Sequence, residues 1–368
     1  MGAGQSLEAR CRASQLFSMR HRSWRQSRFF RAIGQMKSMH SGCKWVVPIK
    51  STRNIQICLF LSVCLPACSS AQSVNTSEWT SKLHAEHALV GKIWSSSDNR
   101  FIEQEQLLDA VARSKYLLLG EKHDNPDHHH LQGLILQDLL PKNLVGSIAF
   151  EMLTSESQEK LDAIQEQRFT TLEQLKTYLQ WDEAGWDWAF YGPLVKDGYG
   201  ARVALLAANI DDSKMMEVYG GELNPEIGEV LPPAVMDRLN LDIDESHCGL
   251  LPESQFPAMV RVQQSRDHQM AVALGNKADA IAAGSMQVLI AGNYHVRKDL
   301  GVPNYLLSLQ PNLGAADIVV ISFSEVDPAS VDPADYLQRF SETNAYDYIW
   351  FTPAISDEDY CASLQQEQ

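Results

Sequence analysis

The chain has 368 residues, 45% of them hydrophobic, and a formal charge of −15, which excludes a disordered polypeptide and leaves room for a sizeable core. Charge is unevenly divided, because residues 1–53 carry eleven Lys/Arg against the single acid Glu8, and the remainder carries 20 basic and 45 acidic residues. Such an acidic body repels phosphate backbones, so nucleic acid is not expected as a partner.

The basic front leads into IQICLFLSVCL, residues 55–65, which is free of charge but shorter than the roughly 20 residues of a membrane span. It reads as the apolar core of a secretory signal preceded by Lys44, Lys50 and Arg53, with the first 35 or so residues surplus and Met36 or Met39 as the start. Leu65-Pro66-Ala67-Cys68 resembles the bacterial lipobox, in which the cysteine is lipidated and becomes the mature N-terminus. Ser69 behind it resembles the pattern sorted to the outer membrane, which implies a lipid-anchored protein facing the periplasm. A buried apolar segment behind an arginine-rich transit peptide is the competing reading, and MGAGQS also fits the loose myristoylation pattern. Of seven cysteines only Cys248 and Cys361 follow Cys68, so there is no disulfide framework and no CxxC metal site. Whether those two pair is left open by their spacing.

Residues 68–81 are expected to form a tether, and an α/β domain is expected over 82–355. Its strands are read at KYLLLG (115–120), LVGSIAFEM (144–152), RVALLAAN (202–209), SMQVLIAGNYH (285–295), ADIVVISFS (316–324) and DYIWFT (347–352). These short, nearly continuous apolar runs have the pattern of strands buried on both faces, hence a largely parallel central sheet flanked by helices. Residues 211–284 lose the strand pattern and read as a mostly helical cap inserted into that domain. The tryptophan-rich stretch 171–196 reads as a lid, and the acidic tail 356–368 as loose.

The stretch GEKHDNPDHHH, residues 120–130, follows a buried strand, which puts Gly120 and Glu121 at the carboxyl edge where open α/β sheets bind ligands. Asn125 and Pro126 form a helix start. His128 then shares an inward stripe with Leu131, Ile135 and Leu139, while His129 and His130 turn away, leaving His123 and His128 as the better pair. Glu151, Asn209 and His295 end three further strands at the same edge. Glu121, His123, Glu151 and His295 admit two chemistries. They can hold a divalent metal such as Zn, Mn or Co, with Glu121 or Glu151 as general base towards bound water. Alternatively the crevice takes haem, with a histidine or tyrosinate on iron and Arg297 near a propionate. HExxH, GxSxG, P-loop and GxGxxG elements are absent.

The sequence resembles the ChaN family of haem-binding uptake lipoproteins, part of the Tiki and erythromycin-esterase-like superfamily. The resemblance is carried by GEKHDNPDHHHLQ (120–132), FEML (150–153), WDEAGWDWAFYGPL (181–194), AANI (207–210), HCGLLP (247–252), QQSRDHQMA (263–271) and AGNYHVRKDLGVPNYL (291–306). It implies haem handling for iron acquisition, with a homodimer and haem-transport components as further partners. Tyr191, Tyr219 and Tyr294 are the tyrosines it brings forward as iron ligands beside His123, His128 and His295. The same superfamily includes metal-dependent peptidases built on strand-end Glu and GxxH elements. Gly120 to His123 and Gly292 to His295 have that spacing, so a hydrolase and a non-catalytic interaction protein stand as the alternatives.

Overall fold

Residues 116–119 and 287–291 send alternate side chains into two different cores, one on each face of a single sheet. Leu117, Leu119, Val288 and Ile290 enter the first, and Tyr116, Leu118, Leu289 and Ala291 the second. The computed structural model describes residues 79–276, 285–337, 340, 342–358 and 361–362. The signal region, most of the tether and Cys68 lie outside the described residues.

All six expected strands form: β3 (Tyr116–Glu121), β4 (Val145–Thr154), β5 (Ala204–Asn209), β6 (Met286–Gly292), β7 (Ile318–Glu325) and β8 (Tyr348–Thr352). They are mutually parallel. Two three-residue strands that the apolar pattern does not announce, β1 (Ile93–Ser95) and β2 (Arg100–Ile102), add an antiparallel hairpin beside β8. The order across the sheet is β2-β1-β8-β7-β3-β6-β4-β5. With β3 and β6 adjacent, Glu121 is registered against Gly292.

The first face is covered by α1 (Gln104–Val111), α2 (Pro126–Leu139), α3 (Gln158–Asp162), α4 (Leu172–Leu179) and α5 (Trp188–Ala201), each contributing to the first core. The expected cap is helical: α6 (Asp212–Gly220), α7 (Pro225–Gly228) and α8 (Pro233–Ser246) lead to α9 (Phe256–Asn276). Together with α10 (Val302–Leu309), α8 and α9 build the second core. Among the described residues no helix is long and apolar enough to cross a membrane.

The helix start is as read: the Asn125 side chain accepts the Asp127 N–H at 2.9 Å and Pro126 occupies the first turn. The face of α2 is not. His129 and Gln132 are buried along with His128, Leu131, Ile135 and Leu139, because α5 packs on the flank of α2 that the sheet leaves uncovered. A stripe argument assumes one buried side, and this helix has two. The acidic tail is not wholly loose either, since Cys361 is disulfide-bonded to Cys248.

Candidate functional site

At the carboxyl edge of the sheet, buried acids and imidazoles alternate. Glu121 is 2% exposed, and its Oε1 accepts the Tyr191 hydroxyl at 2.6 Å and meets His123 Nδ1 at 3.0 Å. Its Oε2 accepts Gln132 Nε2 at 2.6 Å and lies 3.2 Å from His129 Nδ1. His129 Nε2 donates to the His123 carbonyl at 3.0 Å, and its ring stacks on Phe190. Burial pushes Glu121 upward, but the neighbouring His129 and His123 outweigh it and hold the carboxyl well below its ordinary range.

The second acid, Glu151, three residues before the end of β4, accepts the Gly292 N–H at 2.8 Å through Oε2 and lies 3.3 Å from His295 Nε2 through Oε1. His295 Nδ1 donates to Asp267 Oδ1 at 2.5 Å, with the Gln263 side chain 3.0 Å away. Burial lowers the His295 imidazole, yet the carboxylates of Glu151 and Asp267 raise it to about 10, so the ring is an imidazolium at neutral pH. Burial raises Glu151, and the charges of His295 and His123 bring it down to about 2. His123, with a side chain 26% exposed, reaches the surface more than either acid or His129 and His295 do. Burial lowers it, and Glu151 and Glu121 raise it further than burial can depress it. Its ring lies over Gly292, where an added Cβ would sit 2.9 Å from Nε2, so the bare backbone there is needed for the imidazole to occupy this place.

Sequence reasoning placed Glu121, His123, Glu151 and His295 at one edge, and the structure brings them there as two carboxylate–imidazole pairs. Tyr191 joins them through Glu121, with Trp186 edge-on to His123 at 4.9 Å, so the tryptophan-rich segment covers the cluster. Other expectations fall elsewhere. His128 is fully buried; its Nδ1 accepts the Lys122 N–H at 2.8 Å and its Nε2 meets Thr352 Oγ1 at 3.0 Å. Burial first, then the neighbouring His129, holds it well below the usual histidine range, so it is a neutral structural ring. Arg297 forms a two-pronged ion pair with Asp299 at 2.9 and 2.7 Å and is 4% exposed, which places it inside the protein. Tyr294 donates to Asp242 of α8 at 2.8 Å, and Tyr219 of α6 donates to Gln255 at 3.2 Å. Neither meets the cluster.

Four further residues that the sequence pattern does not assign to the site touch these groups: His129, expected to face outward, with Gln132, Gln263 and Asp267. QQSRDHQMA holds Gln263 and Asp267 one helical turn apart, a signal that could have found the His295 partners. Among the described residues, no three His, Cys, Asp or Glu side chains are arranged to hold one metal ion. Glu121 faces two imidazoles and His295 two carboxylates, so these groups are taken up by one another and, as placed, do not converge on a divalent cation.

The family model described as haem-binding uptake, Tiki superfamily, ChaN matches residues 107–306. Among solved structures, one described as cofacial haem binding to ChaN of Campylobacter jejuni is 25% identical. It aligns over 70% of this chain and 95% of that chain, with a TM-score of 0.57. An erythromycin esterase mutant, EreC, in its open conformation is 14% identical over 63% of this chain and 77% of its own, with a TM-score of 0.38. The type III effector HopBA1 is 12% identical over 67% and 91%, with a TM-score of 0.39. No curated protein matches the chain significantly.

Proposed function

Because this chain belongs to the ChaN family of haem-binding uptake proteins in the Tiki superfamily, we propose that it binds haem and serves haem or iron acquisition. The observation that carries the reading is the likeness to the Campylobacter jejuni protein, which extends along 95% of that chain.

Haem supplies a ferric iron that an anionic oxygen ligand suits. Such a ligand needs a phenol that is reachable and free to lose its proton. Tyr191 is fully buried with its proton held by the Glu121 carboxylate; burial first and Glu121 second push it far above the ordinary tyrosine range. Tyr294 is pushed the same way by burial and by Asp242. A phenolate at either place would set two anions against each other. Tyr219 is half-buried on α6, its hydroxyl faces the neutral amide of Gln255, and the 62%-exposed Met216 lies three residues before it, on the same side of the helix. The inserted helices therefore suit an apolar macrocycle where the charged strand edge does not, and Tyr219 is the proposed ligand.

Titration of haem into the purified protein should give a saturable Soret band, shifted or weakened by Tyr219→Phe and unaltered by Tyr294→Phe. A specific band that survives Tyr219→Phe unchanged would remove Tyr219 from this role, and no specific band would leave an interaction protein as the better reading. Residence on the outer membrane through a lipid on Cys68 is proposed alongside. It is supported by the lipobox-like sequence and by a disulfide between the two later cysteines, which suits an oxidising space. Cys68→Ala should move the protein from the membrane fraction to the soluble fraction; retention on the membrane would overturn the anchor.

A further inference from the structure

We propose that the groove between α2 and α5 is a binding site for a small organic amine, taken up as its cation. The two helices lie side by side and point the same way. His129 stacks on Phe190 near their first turns, and Gln137 Nε2 donates to Asp197 Oδ2 at 3.3 Å about two turns further along. The groove lined by these residues has a volume of about 330 Å³, within the range of small-molecule sites. Its length is roughly 12 Å, the rise of eight helical residues. His129 lines one end and also faces Glu121, so the groove abuts the strand-edge cluster without sharing its carboxylates.

Two residues on the walls weaken the helices that carry them. Glycine and proline are the least favourable residues in a helix interior, and Gly133 of α2 and Pro193 of α5 both line the groove. Packing does not require the glycine. Outside its own helix, a Cβ there would meet only Leu194 Cδ2 within 4 Å, at 3.6 Å, which is an ordinary contact. What the missing side chain provides is open space. Pro193, exposed on the surface, has no N–H to give to the carbonyl of Ala189 four residues earlier, so that carbonyl lacks its usual helical donor. Ala189 lines the groove as well. Residues that break a local rule without a return in packing mark functional positions.

The chemistry of the lining selects the ligand. Leu134, Phe190 and Leu194 supply an apolar surface. Beside the two imidazoles, the polar groups are acceptors: the Ala189 carbonyl, the half-buried Asp197 carboxylate, and the Gln137 side-chain oxygen, whose amide nitrogen is given to Asp197. No Lys or Arg lines the groove, and among the described residues none pairs with Asp197. An apolar body that carries an ammonium group therefore meets acceptors and an unpaired carboxylate, while a carboxylate or phosphate on the same body meets repulsion. The anionic propionates of haem fall in the second class, so this site is separate from the proposed haem site.

Calorimetric titration of the purified protein with 4-phenylbutylamine, and separately with 4-phenylbutyrate, which pairs the same apolar body with the opposite charge, tests this. The amine should bind saturably, one per chain, and about tenfold or more tighter than the carboxylate. Asp197→Asn should weaken the amine by about tenfold or more and abolish the preference between the two. Gly133→Ala should weaken the amine by about threefold or more while the melting temperature stays level or rises, because alanine favours the helix. Weaker binding in a protein no less stable separates a filled groove from a damaged fold. No saturable binding of the amine, equal binding of the carboxylate, or an affinity that Asp197→Asn leaves unchanged would overturn the site. The titration is made without haem, so failure of the haem reading leaves this test standing.

Discussion

Glu121→Ala should destabilise the protein by about 3–5 kcal/mol, read as a lower urea midpoint at unchanged slope, because it removes one side of a buried ionic network. Four side chains converge on this carboxylate: Tyr191, Gln132, His123 and His129. Deleting it removes the 2.6 Å acceptor of both the Tyr191 hydroxyl and the Gln132 amide, leaving them only contacts of 3.5 Å to His123 Nδ1 and 3.4 Å to the Leu119 carbonyl. Each buried donor left unsatisfied costs about 1–3 kcal/mol. A folded domain is stable by about 5–15 kcal/mol in all, so this single change removes a large share. Glu121→Gln preserves shape but puts an amide NH2 where one of the two accepting carboxylate oxygens stood, and should cost less than alanine. Tyr191→Phe removes one hydrogen bond and should cost about 1 kcal/mol. The order alanine, glutamine, Tyr191→Phe is the test. If Glu121→Ala came within about 1 kcal/mol of the parent, the carboxylate would not organise this edge.

The sequence exposes some of this network and hides the rest for identifiable reasons. Strands such as β3 and β6 are legible because every residue is buried, which gives long apolar runs ending abruptly in Glu121 and before His295. β1 and β2 are too short to show a period, and β2 has two exposed residues out of three. His129 escaped because the sequence shows that a helix is amphipathic but not that a second helix covers its flank. Asp267 escaped because its acceptor role exists only once α9 crosses the strand ends, 28 residues before His295 in the chain. His128 and Arg297 show the converse: both stand in the motif, yet local partners, the Lys122 N–H for one and Asp299 for the other, hold them in structural roles. The disulfide lay beyond reach, since two cysteines 113 residues apart carry no geometric information until the tail is placed beside α8.

Stability should fall as the pH is raised from about 6.5 towards 10, and His295 is the reason. In the unfolded chain its ring loses its proton near 6.5; folded, between Glu151 and Asp267, it keeps the proton to about 10. A raised folded pKa means that the stabilisation is complete below 6.5 and is lost as pH climbs through 10. One proton is worth about 1.4 kcal/mol per pH unit, so the limb amounts to roughly 5 kcal/mol, and with His295 only 3% exposed little of it is screened by solvent. Glu151 has the opposite sign: its folded value of about 2 lies below the unfolded 4.5, so its contribution is present above 4.5 and lost as pH falls through 2. Urea midpoints at pH 6, 8 and 9.5 would show the alkaline limb directly. Asp267→Asn is the control, because an amide can still accept the Nδ1 proton but no longer supplies charge. The His295 pKa should then drop and the alkaline loss should begin and finish at lower pH. Parallel curves for the parent and Asp267→Asn above pH 6.5 would mean that another group carries the transition, and the buried imidazolium would lose its place as the charge that Glu151 and Asp267 share.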